Sequence, residues 1–328
     1  MKSDPRLAWL VRAIGLGLFV YLVVRSEPAA IAGVLKRADP WPLVAAGFMI
    51  FPMIAFKTAR WRDLQRAVLI DGVSFGESYR AYLEGLFAGL VTPGRVGEFV
   101  RVRSLTRRGA PLGPAMATVV WDRVFDVLGL LFVGSVALIP LSGTFRGLYL
   151  GSLVALGLGL LAAGFVVWGP LQERGKVSPP GGNDPGDGGG GLRQQLRESL
   201  GALLLASRAF RGALLVRVGV LTLSGWAVYY FQAWLLARTL DLALPFTSLV
   251  VAVTAAAVAA FLPISISGIG TRDAALVILF QQMGRTREEA MAYSALVMAM
   301  LLLNALIGLA ASRLRPVPAN EPAMGDSN

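Results

Sequence analysis

The sequence contains no cysteine and no histidine. Without thiols there are no disulfides, no thiolate metal sites and no cysteine nucleophiles. Without imidazole there is no histidine general base, proton relay or metal ligand. Charge is scarce as well: Asp, Glu, Lys and Arg make up 16% of the 328 residues, against about 25% in soluble domains. A soluble chain of this length covers its cores with charged surface, and this one lacks the means. What fills it is apolar, with 55% hydrophobic residues and a mean hydropathy of +0.63.

The net charge of +11 does not point to nucleic acid. The basic residues gather at the ends of apolar segments, where membrane anchors sit, and no basic stripe lies on a soluble domain.

A spanning helix needs roughly 20 apolar residues. Six segments qualify: 7–24, 41–56, 117–139, 147–168, 213–237 and 290–311. The first is followed by Arg25-Ser26-Glu27-Pro28 and not by a small-residue cleavage site, so it reads as a span and not a cleaved signal. Two further apolar stretches are broken by proline and glycine. One is 82–91 before Thr92-Pro93-Gly94-Arg95; the other is 248–262 before Pro263-Ile264-Ser265-Ile266-Ser267-Gly268-Ile269-Gly270. Both read as re-entrant pairs of half-helices.

Basic residues orient these segments. Lys2, Arg6 and Arg12, then Lys57, Arg60, Arg62 and Arg66, then Arg101, Arg103, Arg107 and Arg108, and finally Arg313 and Arg315 fall on one side, with the central loop. Placing them in the cytoplasm gives a multi-pass protein of the plasma (inner) membrane with both termini inside. The expected fold is an all-α integral membrane protein with six spanning helices and two re-entrant helical hairpins in an inverted repeat. Residues 1–170 form the first half with hairpin 79–108; 193–315 form the second with hairpin 246–283. Residues 171–192 are Gly/Pro-rich and read as a disordered cytoplasmic linker, and 316–328 as a disordered tail. Residues 192–210 suit either an amphipathic helix on the inner leaflet or an extension of the fifth span.

Charges at membrane depth single out the candidate site, because each costs a few kcal/mol there. Arg95 and Glu98 lie at the first break, between Gly94 and Gly97, where free half-helix N–H groups and an arginine suit an anion. Glu98 is placed to pair with Arg95 or Arg101, or to accept from a substrate amine; mutual pairing at a tight turn is the alternative. Ser265, Ser267, Gly268, Gly270, Arg272 and Asp273 mirror this at the second break. A helix capped by Thr271, with Asp273 in its first turn, satisfies the same residues. A third cluster is Asp122, Arg123 and Asp126, either a cavity wall or a structural ion pair. Glu84 and Asn304 are expected to face the bundle interior. Tyr229, Tyr230 and Trp234 read as core or interfacial aromatics, and Lys57, Arg60 and Arg62 as headgroup-facing side chains.

Three motifs in order then carry a resemblance: Thr92-Pro93-Gly94-Arg95-Val96-Gly97-Glu98 with Arg101, Trp121-Asp122-Arg123-Val124-Phe125-Asp126, and 263–273. Over about residues 7–315 the chain resembles the lysylphosphatidylglycerol synthase transmembrane-region family of flippase-like membrane proteins. The resemblance implies a helical bundle with two re-entrant hairpins that moves lipids. It also implies that Pro93, Gly94, Arg95, Gly97, Glu98, Arg101, Arg123, Asp126, Gly268, Gly270, Arg272 and Asp273 line or shape the path. Asp122 and Asp273 stand where the family more often has glutamate, which shortens reach. No synthase domain follows Arg315, so the expectation is a stand-alone member that does not itself make an aminoacyl lipid.

The function expected is translocation of a phospholipid or lipid-linked headgroup, anionic or zwitterionic, without catalysis, cofactor or metal. Arg95, Glu98, Arg101, Arg123, Asp126, Ser265, Ser267, Arg272 and Asp273 would contact the substrate. Pro93, Gly94, Gly97, Pro263, Gly268 and Gly270 would act as hinges. No Gly-x-x-x-x-Gly-Lys-Ser/Thr motif is present, so drive would come from a gradient, with Glu98, Asp126 or Asp273 as proton carriers. Two rivals remain: an intramembrane lipid-linked glycosyl or phosphoryl transferase using a metal at Glu98, Asp122 and Asp126, and a non-transporting accessory subunit of a neighbouring lipid-biosynthesis enzyme.

Overall fold

The computed structural model describes residues 17, 19–25, 28–90, 92, 97–172, 201, 212–261 and 268–313. The expected linker beyond residue 172, the tail and nearly all of 192–210 lie outside them. So do the first sixteen residues, together with Pro93, Gly94, Arg95, Pro263, Ser265 and Ser267.

Among the described residues all regular structure is helical. The helices are α1 (Pro28–Lys36), α2 (Pro40–Phe48), α3 (Ile50–Ala67), α4 (Phe75–Leu90), α5 (Val100–Thr106) and α6 (Leu112–Leu138). They continue with α7 (Arg146–Gln172), α8 (Ala213–Thr239), α9 (Phe246–Phe261), α10 (Thr271–Gln282) and α11 (Arg287–Arg313). Among the described residues four stretches are long and apolar enough to cross a bilayer: Pro40–Ala67, Leu112–Leu141, Ala213–Thr239 and Arg287–Arg313. Val154, Leu158 and Leu161 on α7, Val216 and Val220 on α8, and Leu302 and Leu306 on α11 are exposed. This is the apolar belt that lipid contact requires and water penalises.

Local chemistry sets the helix ends. Pro40 occupies the first turn of α2, where its missing N–H costs nothing, and Asp39 accepts from Trp41 N at 3.0 Å. Pro52 removes a donor and crowds the preceding turn, and α2 yields to α3 at Met49. The helix then runs on to Ala67, eleven residues past the expected end of the second span at 56. Ser74 with Glu77 opens α4, and Thr286 with Glu289 opens α11, each as a reciprocal capping box.

One order of elements occurs twice: α3, α4, break, α5, α6, then α8, α9, break, α10, α11. The packing repeats with it. Within the units α4 lies on α5 and α9 on α10; α5 on α6 and α10 on α11; α3 on α6 and α8 on α11. Between the units the pattern crosses, with α4 against α11 and α9 against α6. Glycines mark both crossings. A Cβ on Gly308 would strike the Leu83 carbonyl, and one on Gly134 would come within 2.5 Å of Thr254 Cγ2. Close backbone approach of this kind is how membrane helices gain dispersion contacts.

The two leading helices meet each other head to tail. Asp39 N donates to the Thr239 carbonyl (2.8 Å) and Gln232 Nε2 to the Ala46 carbonyl (2.7 Å). Lys57 Nζ sits 5.3 Å over the Trp226 ring, Arg60 donates to Thr222 Oγ1 (3.2 Å), and Arg217 pairs with Asp63 (2.7 Å). Numbers rise along α2–α3 while they fall along α8, so these helices are antiparallel. Further bonds define the two ends of the bundle. Arg285 reaches the Ala243 carbonyl at one end; Arg108 reaches Glu77 and the Gly72 carbonyl at the other.

Candidate functional site

Asp122, one of the sequence candidates, is the hub of a buried charge cluster. It is fully buried on α6. Its Oδ1 accepts from Arg60 Nε and Nη2 (2.9 and 2.6 Å); its Oδ2 accepts from Arg101 Nη1 (2.8 Å) and the Tyr82 hydroxyl (2.9 Å). One turn on, Asp126 Oδ1 accepts from Arg60 Nη2 (2.9 Å) and Lys57 Nζ (2.7 Å). Glu98 pairs with Arg123 and stands 3.6 Å from Arg101. The Arg101 guanidinium lies 4.2 Å from the Tyr82 ring centre. In a low dielectric such a cluster is stable only when its lone pairs find donors, as both oxygens of Asp122 do; Arg101 Nη2 has only the charge of Glu98 at 3.6 Å.

Next to this cluster lies a cavity of about 170 Å³ between the two units. From the first unit Lys57, Tyr82, Glu98, Arg123 and Asp126 border it; from the second, Trp226, Tyr229, Gln232, Arg272, Tyr293 and Asn304 do. Apolar residues, chiefly alanine, leucine, valine and methionine, complete the wall. Arg272, 5% exposed, binds Asp273 through Nη2 (2.7 Å) and Ser294 Oγ (3.1 Å). Its Nη1, Arg123 Nε and Asn304 Oδ1 are buried and find no hydrogen-bond partner among the described residues. Such atoms carry an uncompensated desolvation cost that a bound polar group would relieve. Around the site five cations (Lys57, Arg60, Arg101, Arg123, Arg272) stand against four carboxylates (Glu98, Asp122, Asp126, Asp273), one positive charge in excess among the described residues.

Crowded glycines flank both breaks. Gly97 packs on the Ala88 carbonyl with no room for a Cβ, and a Cβ on Gly268, at φ +79°, would lie 2.5 Å from that of Ala260. Gly270, the N-cap of α10, also has positive φ. Two N–H groups at these breaks are already engaged. Gly97 N donates to Thr92 Oγ1 (2.7 Å) and Gly270 N to Asp273 Oδ2 (2.8 Å). Sequence reasoning offered the half-helix ends to an anion; at these two glycines an internal acceptor has taken the donor. The expected Thr271 cap is likewise corrected, since Thr271 is the first helical residue and Gly270 the cap.

Of the expected substrate contacts, the structure brings Glu98, Arg123, Asp126 and Arg272 to one cavity. Arg101 and Asp273 lie behind it, fully buried, as supports for Asp122 and Arg272. Lys57 and Arg60, expected to face headgroups, are corrected. Arg60 is 1% exposed because Asp122, Asp126 and Thr222 take its donors, and Lys57 is held by Asp126 at the cavity edge. Arg62 bonds the Val73 carbonyl (3.2 Å) and lies over Phe75. Glu84 pairs with Arg80 (3.0 Å), while Asn304 borders the cavity. Tyr230 is buried and bonded to Thr254, and Trp234 stacks on Phe231.

The sequence reading passed over Tyr82, Trp226, Gln232 and Tyr293, and with them two glycines. Gly85 and Gly89 open a slot along α4 in which the charged chains lie. A Cβ on Gly85 would meet Arg101 Cγ at 3.1 Å, and one on Gly89 would meet Glu98 Cγ at 2.7 Å. The signal was legible as Gly85-x-x-x-Gly89.

The comparisons with known proteins agree with this architecture. Residues 9–308 match the lysylphosphatidylglycerol synthase TM region. A UPF0104 membrane protein of Methanothermobacter thermautotrophicus is 28% identical over 142 residues, 42% of this chain and 41% of that protein. The chain thus spans about two fifths of this relative's length.

Proposed function

Because the chain belongs to the lysylphosphatidylglycerol synthase transmembrane-region family, we propose that this multi-pass membrane protein is a lipid translocator. The lipid has an anionic or zwitterionic headgroup, held in the cavity between the two units. The observation that carries this reading is the cavity itself. Cationic side chains from both units, Arg123 and Arg272 each with a guanidinium N–H that has no partner among the described residues, converge inside a bundle of membrane-crossing helices. A phosphate oxygen is a fitting acceptor for Arg272 Nη1 and Arg123 Nε.

The accompanying fold is six spans with two re-entrant hairpins, 79–108 and 246–283, in an inverted repeat. Its support is the antiparallel seam of α2–α3 with α8 and the crossed contacts of α4 with α11 and α9 with α6. The arginine-rich end, with Arg66, Arg103, Arg107 and Arg108, then faces the cytoplasm of the plasma membrane, and both termini lie on that side. A polar headgroup between inverted units reaches either side when one unit rocks against the other. The acyl chains stay in hydrocarbon. A headgroup phosphate that competes for Lys57 loosens Asp126, which Arg60 still bonds, one route to proton coupling. A translocation rate unchanged by collapse of the proton gradient would remove that route.

The transferase reading gains little from the geometry. Asp122 has both oxygens bonded to guanidinium or phenol donors, and Asp126 is held by Lys57 and Arg60. Among the described residues no three carboxylates form a group suited to a metal ion.

The deciding experiment is lipid mass spectrometry on protein extracted in native nanodiscs, wild type beside Arg272→Ala and Arg123→Ala. Enrichment of one anionic or zwitterionic lipid in the wild type, lost in both variants, supports a headgroup site and names the lipid. Lipid matching bulk membrane in all three samples overturns it and favours the accessory-subunit reading.

A further inference from the structure

A second pocket, of about 370 Å³, lies on the outer side of the bundle between residues 19–31 and the first half of α11. Its walls are apolar: Phe19, Val23, Ile31, Met291 and Met298. Ala295, Ala299 and Leu302 are exposed along its mouth, facing where lipid surrounds α11. Its floor is polar, made by Ser294 and Arg272. Arg272 also borders the central cavity, and it is the residue the two pockets share.

A guanidinium beneath an apolar pocket is expensive in a membrane protein. Packing alone would not place it there, because a leucine fills such a floor at no electrostatic cost. Asp273 and Ser294 hold Arg272 in place through Nη2, while Nη1 keeps an unspent N–H. The arrangement therefore has a hydrocarbon compartment on one side of Arg272 and a polar one on the other.

We propose that the lateral pocket seats one hydrocarbon chain of the transported lipid, with Arg272 as the partition and anchor between chain and headgroup. This rests on the lipid-translocator reading and adds where the chain runs. An anionic oxygen bonded to Arg272 Nη1 puts the glycerol or prenyl end of the lipid at the partition. The chain then leaves through the mouth between residues 19–31 and α11. A single alkyl chain suits a pocket of this size and lining better than a second protein's helix, which is about 10 Å across.

The test uses the full chain in nanodiscs of phosphatidylglycerol that carries a terminal diazirine on one acyl chain. After photolysis, labelled peptides are mapped. Label on residues 19–31 and 291–302 is expected to exceed that on Val154 and Leu158 of α7, exposed apolar residues away from the pocket, several-fold. Ala299→Trp, which fills the mouth, should abolish the excess, and Ala299→Leu should reduce it; thermal unfolding checks that each is folded. Should the tryptophan variant fail to fold, the leucine variant carries the test. Label no denser at the pocket than on α7, or unmoved by either variant, overturns the chain site. A disulfide-linked dimer formed on oxidation of an Ala299→Cys variant, the one cysteine in each copy, overturns it too and makes the groove a contact between copies. Lipid enrichment that depends on Arg272 but comes without pocket label defeats this proposal alone. Loss of both defeats the translocator reading with it.

Discussion

Arg60 on α3 and Asp122 on α6 meet through two hydrogen bonds to one carboxylate oxygen, at 2.6 and 2.9 Å, where both side chains are essentially inaccessible. The pair ties the leading helix of the first unit to its last. Thr222 on α8 takes a third guanidinium donor, so the same arginine also touches the second unit. Arg60 is thus a three-way joint at the cavity's edge.

Removing that joint should be costly. Arg60→Ala leaves Asp122 Oδ1 without its donors and Asp126 with Lys57 as its remaining bonded cation, and breaking a buried pair costs about 3–5 kcal/mol. Arg217→Ala also removes an ion pair between units, to Asp63, but Arg217 is 62% exposed, and exposed pairs are worth below about 1 kcal/mol. Thermal unfolding in detergent should show a large drop for the first and a slight one for the second. Equal drops would mean that the Asp122 cluster does not hold the fold.

The crossed contacts between units rest on two glycines. Gly308→Ala and Gly134→Ala should each lower the unfolding temperature, because the new Cβ meets Leu83 or Thr254 across the interface. Gly151→Ala and Gly219→Ala put the same methyl into open space. They should be neutral or stabilising by up to about 1 kcal/mol through helix propensity. Parallel behaviour of all four would refute the close approach.

Gly89→Ala separates site geometry from stability. Its Cβ would crowd Glu98 Cγ at 2.7 Å and push the carboxylate off Arg123, while Asp122 keeps its partners. Lipid retention should fall more steeply than thermal stability. Retention equal to wild type would show that the Glu98–Arg123 pair is dispensable for binding.

The absence of native cysteine makes the orientation testable without a cysteine-free background having to be built. Asp71→Cys lies at the end that holds Arg108 and Glu77; Thr144→Cys and Gln282→Cys lie at the other. A membrane-impermeant maleimide added outside intact cells should label the last two and spare the first. Label on Asp71→Cys under those conditions reverses the topology.

Much of this fold was legible as hydropathy. The four long apolar helices follow the apolar runs, and the helices flanking each break stop where proline and glycine cluster. Glu98, Arg123, Asp126 and Arg272 stood out because charge is expensive at their depth. The same charge rule misplaced Lys57 and Arg60. A basic cluster after an apolar run looks like an anchor, and nothing local announces acids 62 to 69 residues later. Partners that distant are a property of packing, not of pattern. The end of the second span was missed for another reason: hydropathy falls off at 56, but the lysine, arginines, glutamine and leucine that follow are good helix formers and carry α3 on to Ala67. Thr92 and Asp273 as internal caps needed turn geometry that a linear reading does not supply.

The separation between Arg60 and Asp122 also bears on how the protein is made. Arg60 leaves the ribosome 62 residues ahead of its partner, a wait of roughly 3–12 s at about 5–20 residues per second. Until then Lys57 and Arg60 are bare cations on a helix, and a basic residue at the centre of a lone helix opposes insertion by about 2.5–3.5 kcal/mol. The leading helix of the first unit therefore has little reason to leave the translocon alone. It is expected to linger there until α6 brings Asp122 and Asp126, and the first unit then partitions into the bilayer as a block. The leading helix of the second unit brings Thr222, Trp226, Gln232 and an exposed arginine to the same seam, but no buried charge. It has no such wait, so the two halves, alike in plan, should enter the membrane on different schedules.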